Sequence, residues 1–365
     1  MRLSSLPPAA GAGAPHDDAA ALLKDIRRSG ADRSEMQPGA VRPGAAHPDG
    51  MQPRPFAERN PLPYPHDVTA STDRQETGLI HLQDIRYVRL GTADLDAATR
   101  YATDVLGLEV ARRTASEAHF RSDQRDHTLC YFDGDPRDHT AAFEIDTTDA
   151  LDAALETLAR HGHPVRRGSA DEAEQRHVGA FINFRDPSGN SIDLVLAPQH
   201  SGRRYFPSRD AGISGFSHIG LRTLDARRDE AFWTGLLSAR VSDRIGAAPL
   251  LRIDAVHHKI ALFPSSHPGI QHINHQVDSI DDVMRAWYLL QERGIRILFG
   301  PGRHPTSGAV FLYFVGPDEM IYEYSTGVRL ITAEQEPTYR PRSFPAIPSS
   351  FCMWGSKPDI PEFKT

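Results

Sequence analysis

Cysteine is scarce in this chain of 365 residues, which has only Cys130 and Cys352, and neither belongs to a CxxC pair. We therefore expect neither a disulfide framework nor a cysteine-based zinc site. Long apolar runs are also absent, because no stretch approaches the roughly 20 residues that a membrane span needs. Pro7 and Pro8 interrupt the beginning of the chain, so it does not resemble a secretory signal. These absences predict a cytoplasmic protein without a membrane partner.

Charge of one sign is not concentrated anywhere along the chain. The formal net charge is −7, with acidic and basic residues intermixed. Without a polybasic patch, nucleic acid is not an expected partner. The hydrophobic fraction of 39% is low for a chain that is packed throughout. Residues 1–77 are rich in Pro, Ala, Gly, Asp and Arg, so we predict that this segment is disordered or an over-extended gene start.

The most informative pattern is an internal repeat that begins near Ile80. Four segments recur at an offset of about 130 residues, and the offset barely drifts. The paired segments are Ile85–Val88 with Phe216–Ile219, Asp126–Leu129 with His257–Ile260, Phe143–Asp146 with His275–Asp278, and Phe184–Pro187 with Phe314–Pro317. Each copy alternates strand-like segments with two amphipathic helices, and several of these helices end near a glycine.

This repeat predicts an α+β fold of two tandem domains. Each domain would consist of paired βαβββ modules whose strands curl into an open barrel, with the helices outside. We place the first domain at 78–200, the second at 205–330 and a C-terminal extension at 331–365. The extension could cover the barrel mouth or mediate oligomer contacts; we favour a packed extension over the surface.

Histidine is abundant, with 18 residues, and the repeat separates those that could carry chemistry. The second domain has His218, His275 and Glu323 where the first has Tyr87, Phe143 and Asp193. A single buried histidine is more often a packing residue, but two histidines and a carboxylate confined to one domain favour metal ligation. Such a set resembles the facial triad of non-haem iron(II) oxygenases, which leaves positions open for substrate and O₂. We predict Fe²⁺ at these three ligands, with Mn²⁺ as the alternative.

Three further polar residues of the second domain are candidates for catalysis and substrate binding: His258, His304 and Tyr313. His257 and His258 are adjacent, so on a strand only one of them could face a metal. The register with His127 favours His258. By contrast, we interpret Tyr87, His127 and Asp193 of the first domain as structural.

The segment from Gly302-Arg303-His304 through Leu312-Tyr313 and Pro317 to Glu323 resembles the signature of type I extradiol ring-cleavage dioxygenases. These are vicinal oxygen chelate enzymes, within the glyoxalase and bleomycin resistance superfamily, such as 2,3-dihydroxybiphenyl 1,2-dioxygenase and catechol 2,3-dioxygenase. Phe216–Ile219 and Asn274-His275 resemble the family's histidine-ligand segments. Gly316 and Glu319 depart from the usual turn of the signature, which leaves the subfamily open.

The resemblance implies extradiol cleavage of a catechol-type substrate with O₂, in aromatic compound degradation, by a chain that forms a homo-oligomer. It implies that His258 faces the O₂ side as an acid, that Tyr313 hydrogen-bonds a substrate oxygen and that His304 binds near the substrate hydroxyl groups. Two alternatives stay open. One is another metal-dependent enzyme of this fold, such as a glyoxalase-like isomerase or a thiol transferase. The other is a non-catalytic small-molecule binding or resistance protein.

Overall fold

The computed structural model describes residues 80–364, which form two β-sheets with helices packed on them. Residues 1–77, for which we predicted disorder or an over-extended start, lie outside this range. The strands of the first sheet are β1 (Ile85–Thr92), β2 (Glu109–Arg113), β3 (Glu117–Arg121), β4 (Leu129–Asp133), β5 (His139–Ile145), β6 (Val165–Arg167), β7 (Ala180–Arg185) and β8 (Ser191–Leu196). Those of the second are β9 (Ile213–Thr223), β10 (Arg240–Ile245), β11 (Ala248–Arg252), β12 (Ile260–Pro264), β13 (Gly269–Val277), β14 (Ile297–Arg303), β15 (Val310–Val315), β16 (Ile321–Thr326) and β17 (Arg342–Phe344).

The strand order shows the predicted modules directly. The first sheet runs β2-β3-β4-β1-β5-β8-β7-β6, and the second runs β14-β15-β16-β13-β9-β12-β11-β10-β17. Each four-strand module therefore meets its partner through its first strand, β1 against β5 and β13 against β9, and both pairings are antiparallel. The helices are α1 (Leu95–Asp104), α2 (Thr148–Arg160), α3 (Ala170–Gln175), α4 (Ala226–Gly235), α5 (Ile280–Glu292) and α6 (Pro348–Phe351), with short 3₁₀ turns at Pro317–Glu319, Glu336–Thr338 and Pro361–Phe363.

Local sequence explains where the long helices begin and end. Asp94 accepts a hydrogen bond from the backbone N–H of Ala97 at the start of α1, and Thr147 does the same for Ala150 at the start of α2. Gly162 and Gly294 follow α2 and α5 with φ of 79° and 64°, a left-handed conformation that glycine adopts without steric cost. The two amphipathic helices predicted for each copy of the repeat are confirmed as α1 and α2 in the first and α4 and α5 in the second.

Strand β14 contains an irregular segment, and one local prediction was wrong. Gly300-Pro301-Gly302 lies inside β14, where a shift of register between Phe299 and Gly302 accommodates the proline. The strand predicted from His257 begins only at Ile260, so both adjacent histidines lie in the turn before β12.

The C-terminal extension packs onto the second sheet. Strand β17 adds a parallel edge beside β10. Phe351 and Phe363 are buried in a hydrophobic cluster that includes Tyr313 and Phe299. A larger cluster joins the two domains, with the rings of Phe143 and Trp233 at 5.5 Å. Within residues 80–364, no helix has the length and apolar character needed to cross a membrane.

Candidate active site

Three side chains from different strands meet inside the second barrel: His218 on β9, His272 on β13 and Glu323 on β16. The Nε2 atoms of the two histidines are 3.1 Å apart, and Glu323 Oε2 lies 3.0 Å from His218 Nε2 and 3.5 Å from His272 Nε2. All three residues are buried, and their candidate ligand atoms lie within 4.8 Å of one another. The strand register explains this convergence, because Asn274, directly opposite His218, is also the partner of Glu323, and His272 lies two residues away on the same face.

The donor set fits a divalent metal ion. Glu323 Oε2 is buried and has no hydrogen-bond partner, although it faces two imidazoles. Burial raises the pKa of Glu323, but the adjacent His218 and His304 lower it more, so the net pKa lies well below the usual value. Burial also lowers the pKa of His272 to about 3. A neutral imidazole and an ionised carboxylate are the forms that bind metal ions.

The sequence-predicted ligand His275 lies elsewhere, and this part of the prediction is corrected. The His275 ring stacks on Tyr322 with centroids 6.4 Å apart, and Tyr322 is adjacent to Glu323 on β16. Neighbouring residues of a strand point to opposite faces, so His275 lies on the face away from the three converging side chains. Phe216, its cross-strand partner, is also close to its ring. Neither nitrogen of His275 has a hydrogen-bond partner.

Sequence reasoning missed His272, which takes the place predicted for His275. Its Nδ1 hydrogen-bonds the side-chain oxygen Oε1 of buried Gln271. Because a carbonyl oxygen only accepts, Nδ1 carries the proton and Nε2 keeps the lone pair that faces Glu323. Outer partners of this kind orient metal-binding histidines. The available signal was the contrast with Thr140, which occupies the same register position in the first sheet.

The three predicted catalytic residues lie around the same cluster. The His258 ring is 4.2 Å from that of His218, and the Tyr313 ring is 5.3 Å from that of His272. His304 Nε2 lies 3.3 Å from the Tyr313 hydroxyl and 3.6 Å from Glu323 Oε1. His304 Nδ1 donates to the carbonyl oxygen of Phe351, so the C-terminal extension fixes the orientation of this imidazole.

A small cavity lies beside these groups. His258, His272, His304 and Tyr313 form its polar side. The remaining wall is largely apolar and consists of Ile245, Leu250, Ala261, Phe263, Phe351 and Phe363, with Thr306 and Ser307. The volume of the cavity that the centres of water molecules can occupy is about 30 Å³. The cavity is therefore large enough for roughly two water molecules. A ring-sized ligand therefore requires movement of a wall, and two of the wall residues belong to the C-terminal extension.

The corresponding positions of the first barrel are closed by their own hydrogen bonds. Tyr87 donates to Asp193 Oδ2 at 3.0 Å, and Arg176 pairs with the same oxygen at 2.9 Å. Thr140 stands at the position of His272 and offers no imidazole. The interpretation of Tyr87 and Asp193 as structural is consistent with these contacts.

A second group of side chains, in the first barrel, is close enough together to bind a metal ion but is chemically unsuited to it. The group consists of Glu117, His119 and Cys130. Arg89 binds Glu117 at 2.8 Å and lies 3.5 Å from the Cys130 sulfur, so a cation already occupies the position. Burial raises the pKa of the Cys130 thiol to about 12, which keeps it protonated. We therefore interpret this group as an ion-pair network.

Comparison of the sequence with known proteins identifies a family and relatives of this chain. Residues 84–194 and 215–324 each match the Glyoxalase/Bleomycin resistance protein/Dioxygenase superfamily. The chain is 26% identical to a 1,2-dihydroxynaphthalene dioxygenase of Sphingobium xenophagum, over 70% of this chain and 92% of the relative. It is 28% identical to a 3-methylcatechol 2,3-dioxygenase of Pseudomonas putida, over 69% and 92%.

A solved structure shows the same fold. The Mn(II)-bound glyoxalase from Novosphingobium aromaticivorans superposes with a TM-score of 0.69 at 26% identity, covering 78% of this chain and 94% of that one. The two matched segments span the two sheets described above, and together they cover more than half of the sequence. This chain therefore belongs to the Glyoxalase/Bleomycin resistance protein/Dioxygenase superfamily.

Proposed function

We propose that this protein is an extradiol dioxygenase, which opens the ring of a catechol-type diol beside its hydroxyl groups and inserts both atoms of O₂. The observation that carries this proposal is the convergence of two histidines and a carboxylate beside a cavity, which one of these histidines and three more polar side chains line. Both curated relatives described above are dioxygenases, and one of them is named for a catechol. A homo-oligomer and a cytoplasmic location stay predictions from the sequence.

We propose iron(II) as the cofactor, held by His218, His272 and Glu323. Two neutral imidazoles and one carboxylate are the ligand set of non-haem iron(II) oxygenases, and they leave coordination positions open. The bound metal would lower the pKa of a coordinated hydroxyl group and bring the diol and O₂ together. Mn²⁺ is the alternative, since nitrogen and oxygen ligands suit both ions.

The surrounding residues would bind the diol and move its protons. Burial and the charge of Glu323 raise the pKa of Tyr313 well above its usual value, so its hydroxyl stays protonated and donates a hydrogen bond. Burial lowers the pKa of His258 well below its usual value, so this imidazole is neutral and keeps a lone pair on one ring nitrogen. His304, anchored by Phe351, would position the diol beside Tyr313. Donors fixed in advance in a dry site need no reorganisation during the reaction.

The cavity wall favours a catechol without a carboxylate substituent. Among the described residues that line it, none is Lys or Arg. A carboxylate on the ring would therefore lack the cationic partner that buried anions need. Phe363 narrows the cavity, because the centre of its ring lies 5.9 Å from that of Tyr313 and 4.8 Å from that of Phe263. The lining thus suits an uncharged ring, which can enter only after a wall of the cavity has moved.

Replacing Phe363 with alanine should widen the substrate range. We expect kcat/KM for a bicyclic catechol to rise relative to that for a monocyclic catechol by about 10-fold, because a pocket discriminates by the groups that fill it. Steady-state assays of both substrates measure this ratio. Trp354, which is exposed and stacks with Arg303, provides the control variant Trp354→Ala, for which the ratio should not change. An unchanged ratio in Phe363→Ala would remove Phe363 from the wall that limits ring size.

Oxygen consumption is the direct test of the proposed reaction. The purified chain is loaded anaerobically with Fe²⁺ or Mn²⁺ and mixed with a panel of catechols, and O₂ uptake is followed together with the yellow ring-opened product. We expect one O₂ consumed per ring opened. The Mn(II)-bound glyoxalase of the same fold makes a metal-dependent isomerase the competing function. Turnover of a glutathione hemithioacetal without O₂ uptake would support that function and contradict ours.

A further inference from the structure

Asp243 and His257 form a buried chain of contacts behind His258. Both have no exposed surface, and His257 Nε2 lies 2.9 Å from Asp243 Oδ2. His257 Nδ1 lies 3.1 Å from His258 Nδ1, and the two imidazole rings are perpendicular, with an interplanar angle of 89°. One end of this chain is therefore a carboxylate on β10, and the other is the imidazole that lines the cavity.

The C-terminal extension holds the carboxylate in place. Arg342 on β17 donates to Asp243 Oδ1 from its backbone N–H at 2.9 Å and from Nε at 3.1 Å, and to Oδ2 from Nη2 at 2.6 Å. Arg329 Nη2 is 3.4 Å from the same Oδ2. Burial raises the pKa of Asp243, but its hydrogen bonds with His257 and Arg342 outweigh that effect and lower it. Asp243 is therefore an ionised carboxylate, which can only accept hydrogen bonds.

This charge fixes the direction of each hydrogen bond in the chain. Because Asp243 only accepts, the proton of His257 is on Nε2. Burial lowers the pKa of His257 despite the opposing effect of Asp243, so the ring is neutral and its Nδ1 is a bare acceptor. The bond between the two histidines then requires that His258 donates from Nδ1–H. The lone pair of His258 is thereby on Nε2, the nitrogen left for the cavity.

The first barrel has a shorter chain of hydrogen bonds, in which the carboxylate bonds the equivalent histidine directly and at the same ring nitrogen, Nδ1. His127, at the register position of His258, bonds Asp126 through Nδ1 at 3.0 Å, and its Nε2 is buried without a partner. Arg112 occupies the position in the first barrel that Asp243 occupies in the second. The strand register shows this equivalence, because Arg112 pairs with His119 on β3 and Asp243 pairs with Leu250 at the same position on β11. Arg112 forms an ion pair with Asp126 at 2.6 Å. The second barrel thus has an additional histidine between the carboxylate and the cavity-lining imidazole.

We propose that Asp243 and His257 are positioning residues, which hold His258 in the tautomer that presents a bare Nε2 to the diol and O₂, and that Arg342 secures Asp243 for this role. The inference rests on the proposed function, because His258 acts on substrate only if the cavity is the active site. The hydrogen bonds and ion pairs of Asp243 are with His257, Arg329 and Arg342, so it acts on the cavity through His257.

Asp243→Asn is the first test, because the amide can donate where the carboxylate accepts. The backbone N–H and Nε of Arg342 both donate to the Oδ1 position and keep the amide oxygen there, so the amide N–H faces His257 Nε2. This bond would reverse the chain and place the proton of His258 on Nε2. We expect kcat to fall about 100-fold, as the loss of a correctly protonated catalytic imidazole does. The KM for the catechol and the metal content should stay near the parent values. Asp126→Asn, the matched change in the first barrel, should leave kcat within about two-fold, since it touches no group of the active site.

A second substitution separates tautomer control from simple support of the fold. In His257→Asn, the amide oxygen stands near the former Nδ1 and still accepts from His258 Nδ1–H, without any need for Asp243. We therefore expect His257→Asn to keep most of kcat and His257→Leu to lose it. The double variant Asp243→Asn/His257→Asn should be faster than Asp243→Asn alone. A double variant as slow as the single one, or a single variant with parental kcat, would overturn the proposal.

The tautomer can also be observed without turnover. In the metal-free full-length chain labelled with ¹⁵N-histidine, the His258 signals should show a protonated Nδ1 and a bare Nε2, and this assignment should reverse in Asp243→Asn. A parent His258 with a protonated Nε2 would contradict the inference. If the tautomers follow the prediction while no catechol is cleaved, the positioning chain stands and the proposed function fails.

Discussion

Phenylalanine at position 272 should abolish metal binding and ring cleavage, whereas phenylalanine at position 275 should leave both intact. His272 contributes one of three converging candidate ligand atoms, and His275 lies on the opposite face of the same strand. We expect His272→Phe to weaken iron binding by far more than the 10- to 100-fold that loss of an outer partner costs. Metal content after dialysis, together with kcat/KM for a catechol, measures both effects.

The His275→Phe variant is the matched control, because the chemical change is identical and only the face of the strand differs. The first barrel already has a phenylalanine, Phe143, at this register position. His275 also has two buried nitrogens without hydrogen-bond partners, so its replacement by an apolar ring should not destabilise the fold. Loss of metal in His275→Phe with retention in His272→Phe would restore the ligand set predicted from the sequence.

Phenylalanine in place of His258 should separate binding from chemistry. This residue is next to His218 but contributes no atom to the three-ligand cluster. We therefore expect His258→Phe to keep its metal and to bind catechol anaerobically, while kcat falls by about 10² to 10⁴-fold through loss of the acid and base. Stopped-flow mixing of the anaerobic substrate complex with O₂ measures the affected step.

The control for this variant comes from the repeat. His127 occupies the position of His258 in the first barrel and is also buried, so His127→Phe disturbs a matching site without touching the cavity. We expect parental kinetics from it. A parental rate of O₂ reaction in His258→Phe would refute the role assigned to His258, whichever way the control behaves.

The architecture could be predicted from the sequence because the two copies of the repeat align with each other almost residue for residue. Segments such as Asp126–Leu129 and His257–Ile260 keep a nearly constant offset, and amphipathic helices end at residues such as Gly162 and Gly294. The second and third strands of several modules, such as β2 and β10, were not predicted. Their arginines and acidic residues form ion pairs inside and beside the sheet, so apolar alternation is weak there.

The difference between the histidine predicted from the sequence and the histidine found beside His218 and Glu323 has a physical cause. The repeat correctly aligns Phe143 with His275, since Ile85 pairs with Phe143 and Phe216 pairs with His275. Because the second barrel has a histidine where the first has Phe143, the sequence suggested that His275 is a metal ligand. In the structure, however, His275 lies on the face of its strand that points away from Glu323. Which face a strand residue occupies depends on the cross-strand register, and the register shift between Asn274 and His275 cannot be read from the sequence of one strand.

The role of the C-terminal extension could not be predicted for a different reason. Its prolines and scattered aromatic residues lack periodicity, so nothing in the sequence shows where they pack. In the structure, Phe351 fixes His304 through its carbonyl oxygen, and Arg342 fixes Asp243. The packed surface extension that we favoured is thus also a wall of the cavity. Contacts over such sequence distances are properties of the fold.

The most direct test of the central claim is a crystal structure of the iron-loaded protein with anomalous scattering data collected at the iron absorption edge. We predict one strong peak in the second barrel, within coordination distance of His218 Nε2, His272 Nε2 and a Glu323 carboxylate oxygen. A peak bound by His275, or one at Glu117, His119 and Cys130 in place of that site, would contradict the account.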